Sequence, residues 1–67
     1  MTPATVQDME KGVQLYWRTD IPSGPPHGRA GNTATVIRWQ EGVCQSGTLV
    51  RIFGAGWWCL GWFEVRP

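Results

Sequence analysis

Sixty-seven residues are enough for one domain and too few for a second. A chain this short buries only about 60% of the surface its unfolded form exposes, so it needs a covalent staple, an oligomer interface or unusually dense apolar packing. Six basic residues against five acidic ones leave a net charge of +1, which excludes a strong overall field for steering a polyanion, and no run approaches the roughly 20 apolar residues of a membrane span.

Residues 1–12 read as a polar N-terminal arm. Thr2-Pro3 opens a single helical turn with Pro3 at its first position, and Gly12 closes it. Val6 and Met9, three apart, give that turn one apolar edge; a frayed arm fits the same residues equally. The domain proper spans residues 13–67. Val13 to Arg18 alternates as a strand, with Val13, Leu15 and Trp17 on one face and Gln14, Tyr16 and Arg18 on the other. Residues 19–32 follow, a long loop whose Pro22, Gly24, Pro25, Pro26, Gly28 and Gly31 rule out helix and central strand. Loops of that length are usually functional or mobile.

Thr33 to Gln40 is the second strand, Thr35, Ile37 and Trp39 sharing one face and Val36, Arg38 and Gln40 the other. Glu41-Gly42 and Ser46-Gly47 bracket a weak piece around Val43 to Gln45. Thr48 to Phe53 is the next strand, with Val50 and Ile52 opposed to Leu49, Arg51 and Phe53. Gly54-Ala55-Gly56 supplies the positive φ of a tight turn. Trp57 to Leu60 returns as a strand, Gly61 permits a bend, and Phe63 to Arg66 makes a last short strand. The pattern predicts an all-β fold, a small five-stranded antiparallel barrel.

The layout resembles that of Src-homology-3-like small barrels. Val13-Gln14-Leu15-Tyr16-Trp17, entering the long loop, is similar to their aliphatic-aromatic first strand, and Trp57-Trp58-Cys59-Leu60 is similar to their paired tryptophans followed by a small apolar position. In that family the first Trp of the pair lines a groove for proline-rich peptides, a role the resemblance carries to Trp57. The family's later hairpin and closing Pro-Ser-Asn-Tyr-like motif have no counterpart in the nine residues after Trp58.

Cys44 and Cys59 would close a loop of about fifteen residues if paired, contributing roughly 3 kcal/mol. With no secretory leader at the N-terminus, the expectation is a reduced pair in a cytoplasmic protein. Catalysis is not expected. His27 is the one histidine, in a Pro-Pro-His-Gly loop context, and no spacing supplies a nucleophile, base and orienting group. His27, Cys44 and Cys59 are one ligand short of a structural zinc site and come from distant segments. No cofactor, metal or membrane partner is expected.

Surface recognition is. Five tryptophans exceed what so small a core encloses, and three of them, Trp57, Trp58 and Trp62, sit in the last fourteen residues. Strand parity gives Trp58 and Leu60 to the core and leaves Trp57 outside. With Val13, Ile37 and Val50 facing inward, Tyr16, Arg18, Arg38 and Arg51 face outward. Trp and Arg are the residues enriched at binding hot spots. The predicted binding set is therefore Tyr16, Arg18, Arg38, Arg51 and Trp57, together with the 19–32 loop, in a non-catalytic module for a protein or peptide partner. Two alternatives use the same features: single-stranded nucleic acid held by stacking and arginine, and a homo-oligomer that buries its surplus rings. The plain structural reading has Trp57 covering a barrel end above solvated arginines.

Overall fold

The computed structural model describes residues 2–21 and 29–66 of the chain. Pro22, Gly24, Pro25, Pro26, His27 and Gly28, on which the loop and histidine readings rest, lie outside the described residues. The described chain runs β1 (Thr2–Pro3), α1 (Val6–Glu10), β2 (Leu15–Trp17), β3 (Thr33–Ala34), β4 (Val36–Glu41), β5 (Thr48–Ile52), β6 (Gly56–Cys59), a 3-10 turn (Leu60–Trp62) and β7 (Phe63–Val65). Two antiparallel sheets result, one ordered β1-β7-β2-β3 and the other β4-β5-β6.

The all-β reading holds; its finer form does not. Seven strands form among the described residues, in two sheets rather than five strands closed into one barrel. The stretch predicted as one strand from Thr33 passes between sheets. It pairs with β2 through Thr33 and Ala34, and after Thr35 it pairs with β5 as β4. The Thr35 carbonyl at the crossing accepts the Phe53 N–H at 2.9 Å, holding the two sheets together at the bend. The chain returns to the first sheet through the 3-10 turn at Gly61, where the sequence expects a bend.

The arm is part of this architecture. Thr2 and Pro3 do not begin a helix but pair as a strand with Val65 and Glu64. The helix starts later, because Thr5 caps it. The Thr5 Oγ1 accepts from the Asp8 N–H while the Asp8 carboxylate accepts from the Thr5 N–H, so two otherwise unpaired donors are satisfied reciprocally. Gly12, at φ 74°, takes the left-handed turn after α1 that an L-residue resists.

The core lies between the sheets. Leu15 and Trp17 of β2, Val50 and Ile52 of β5, Ala34, Leu60 and Phe63 are buried together, with Ala4 and Met9 added from the arm. Trp17 is its centre. Its ring lies 4.5 Å from that of Phe63 and meets Trp58 edge-on at 5.1 Å, and Trp58 meets Trp62 edge-on at 5.7 Å. Edge-to-face contacts of this kind add roughly 0.5–1.5 kcal/mol each beyond area burial. The Trp58 Nε1–H donates to the Ala55 carbonyl at 2.8 Å, so its one polar atom is satisfied.

Cys44 and Cys59 are joined by a disulfide, in place of the reduced pair expected from the sequence. It fastens the 42–47 loop to β6, so a covalent staple supplements the aromatic core. No helix among the described residues is long and apolar enough to cross a membrane.

Candidate functional site

The second sheet has an inner and an outer face, and the register assigns every residue to one of them. Val50 pairs with Trp39 and Trp58 on the inner side; Val50 and Trp58 pack in the core, whereas Trp39 stays 38% exposed. Arg51 pairs with Arg38 on one side and Trp57 on the other. Arg38, Arg51 and Trp57 therefore form a continuous row across three strands on the outer face. Neighbouring strands lie about 4.8 Å apart, so the row is roughly 10 Å long.

A bulge shapes one end of it. The pairing of β4 with β5 shifts between Val36 and Arg38, which sets Ile37 and Arg38 together opposite the single Arg51. The alternation predicted for this strand fails there. Val36, not Ile37, packs against the core, and Ile37 is 51% exposed. Arg38 keeps its outward position because the extra residue is accommodated before it.

Two aromatic rings flank the arginines. Trp57 is 43% exposed and Phe53, two residues beyond Arg51 along the strand direction, is 73% exposed. The far end of the face is covered instead. There Leu49 and Cys59 are half-buried beneath the disulfide loop, and a Cβ placed on Gly42 would overlap the Leu49 side chain. The outer face is thus closed at the Cys59 end and open from Arg51 to Phe53.

The electrostatics of the open part are one-signed. No acidic residue occupies an outward position of β4, β5 or β6. The ion pairs among the described residues are Arg18 with Asp20 and Arg66 with Glu64; neither Arg38 nor Arg51 takes part. Like charges directly opposite each other on adjacent strands are destabilising, by an amount on the order of the 0.2–1 kcal/mol of a cross-strand pair.

Two predicted members of the binding set lie elsewhere. Tyr16 and Arg18 belong to β2 and its exit, in the other sheet, and do not continue the row. Tyr16 is half-buried, with the Arg66 guanidinium 4.1 Å from its ring centre. Arg18 is occupied: its Nε and Nη2 donate to both carboxylate oxygens of Asp20 at 2.8 Å, and its Nη1 donates to the Gly61 carbonyl at 3.0 Å. The hydrogen bond to Asp20 raises the Arg18 pKa above its ordinary value and holds the Asp20 carboxyl below the usual carboxylate range. These are structural roles, and they leave Arg38, Arg51 and Trp57 as the predicted residues brought together.

Sequence reading omitted Phe53 and Ile37 from the set. Alternation along β5 already placed Phe53 beside Arg51, so its signal was present. Nothing local announces the bulge that exposes Ile37. The buried carboxylate of Glu64, 2% exposed, was also unforeseen. Its Oε1 accepts the Thr19 N–H at 3.0 Å and its Oε2 lies 3.6 Å from the Arg66 Nε, so it anchors the exit of β2 to β7. Two of the clefts on the described surface lie outside the row. One of about 180 Å³ lies between Val13, Leu15 and Trp39, and one of about 480 Å³ lies between Arg18, Ile21 and Trp62.

No known protein family, curated protein or solved structure matches this chain.

Proposed function

We propose that the protein is a non-catalytic interaction module whose contact surface is the open outer face of the three-stranded sheet, and that its partner is anionic. The observation that carries this is the Arg38–Arg51 pair: two arginines lie opposite each other on neighbouring strands, neither in an ion pair among the described residues, with an exposed indole next in the row. A small domain carries such a locally unfavourable arrangement where an outside group offsets it. Arginine suits the task, since its fork matches carboxylate and phosphate alike. The order of elements supports a Src-homology-3-like reading. A long segment separates β2 from β3, hairpin-connected strands follow, and a 3-10 turn leads into the last strand. Trp57, matched by resemblance to the groove tryptophan of that family, sits within the row.

The homo-oligomer reading is weaker for this face. A two-fold pairing of it would set the arginines of one copy against those of the other.

Retention on an immobilised sulfated polysaccharide, eluted with salt, tests the proposal. Arg38→Ala/Arg51→Ala should elute at clearly lower salt than the unaltered protein. Its unfolding midpoint should equal or slightly exceed that of the unaltered protein, since a like-charge pair is removed. Arg18→Ala should not reproduce that shift, because Arg18 is committed to Asp20 and Gly61. Equal elution of all three proteins would refute the assignment.

A further inference from the structure

From the same face, and resting on the reading just given, we infer that the anionic partner is single-stranded nucleic acid. Charge alone fits an acidic peptide equally well; the rings do not. Trp57 lies directly opposite Arg51, and Phe53 stands in the turn just after Ile52, whose partner Gly56 immediately precedes Trp57. Both are exposed large aromatics near arginines that take no ion pair among the described residues. The two rings therefore sit at the hairpin end of the open face, where each can take an unstacked base. Every base presents a π-face to such a ring, whereas a glutamate or aspartate side chain presents none. The arginines then lie beside the rings, where the phosphates of the same strand run.

A duplex suits the face poorly. Its bases are already stacked and turned inward, so the aromatic rings would gain nothing from it. The even overall charge is no obstacle, because the five acidic residues take no outward position in the row. Asp8 is in the Thr5 cap, Glu10 ends α1, Asp20 is on Arg18, and Glu64 is buried against Arg66. Glu41, though exposed on β4, pairs with Thr48 on the side opposite Arg38 and Arg51. The disulfide loop over Leu49 and Cys59 bounds the surface at one end, which limits the site to a few nucleotides.

The test is fluorescence anisotropy with four labelled probes: an oligothymidylate of about eight nucleotides, its abasic counterpart, the duplex of the same length, and an oligoglutamate of equal charge. A length of about eight falls within the range of roughly 4–16 nucleotides typical of small single-strand-binding barrels. The oligothymidylate should bind best. Stacking is worth about 1–3 kcal/mol per base, so the abasic probe should bind on the order of tenfold to a hundredfold more weakly. Trp57→Ala should cost a similar factor and leave the salt dependence alone. Arg51→Gln should instead make the slope of log affinity against log salt shallower by about 0.7, the amount expected for one phosphate contact on a single strand. Circular dichroism and the unfolding midpoint show that each variant is folded.

The outcomes separate cleanly. Oligoglutamate or the abasic probe binding as tightly as the oligothymidylate, with loss on Arg51→Gln, would overturn the nucleic-acid inference and keep the anionic face. Equal binding of the duplex would likewise overturn it. Indifference of every probe to Arg51→Gln and Trp57→Ala would overturn both.

Discussion

Trp17 and Trp57 are the same residue type put to opposite uses. Trp17 is enclosed by Phe63 and Trp58 at the middle of the core, with the Arg29 guanidinium 5.7 Å from its ring centre. Trp57 stands on the outer face beside Arg51. Truncation of a core aromatic costs about 3–5 kcal/mol. A domain of this length has only about 3–10 kcal/mol in total, at roughly 0.05–0.15 kcal/mol per residue. Trp17→Ala should therefore leave much of the protein unfolded at 25 °C, seen as loss of the cooperative urea transition. Trp57→Ala should shift the unfolding free energy by no more than about 0.5 kcal/mol, as is usual for surface positions. Unfolding of the Trp57 variant would mean that its ring closes the core rather than serving a partner.

The elements owe their positions to short-range chemistry at their ends. α1 begins where Thr5 and Asp8 exchange hydrogen bonds, and β5 turns into β6 where Gly54 and Gly56 take φ of 77° and 80°. The hairpin from β4 to β5 is longer and less regular, and there the disulfide takes over. The Ser46 hydroxyl, donating to the Thr48 carbonyl at 3.2 Å, tightens the same loop. A cross-link closing a loop of about fifteen residues contributes up to roughly 3 kcal/mol by restricting the unfolded chain. Cys44→Ser/Cys59→Ser should lower the urea midpoint accordingly, with the slope of the transition read alongside to separate a loss of stability from a change in the unfolded state. An unchanged midpoint would show that the aromatic core alone sustains the fold.

At the level of the whole molecule, two small sheets share one interior. Part of the surplus aromatic surface, Trp57 and Phe53, is placed where the arginines are, while Trp39 is exposed on the other side of the sheet. The charged residues of the open face among the described residues, Arg38 and Arg51, are both basic, so pairing two copies through it sets like charges together. Light scattering should accordingly give the mass of one chain, 7.5 kDa, at micromolar concentration. A doubled mass that reverts to one chain on Trp57→Ala would make the face an interface between copies and remove it as a binding surface for anything else.

Alternation along each strand was legible before any coordinates. It assigned Leu15, Trp17, Val50, Ile52, Trp58 and Leu60 inward and Arg38, Arg51 and Trp57 outward, because a two-residue period is a property of the backbone itself. The glycine turn at 54–56 and the bend at Gly61 were legible for the same reason: each depends on a residue's own allowed φ and ψ. What lay beyond reach was non-local. Which strands become neighbours decided that Arg38 meets Arg51 while Tyr16 and Arg18 join another sheet. The bulge that exposes Ile37, the bond between Cys44 and Cys59, and the engagement of Arg18 by Asp20 and Gly61 all depend on segments that meet only after folding. A side chain's period fixes the face it is on; its freedom to bind something else is fixed by the neighbours that reach it first.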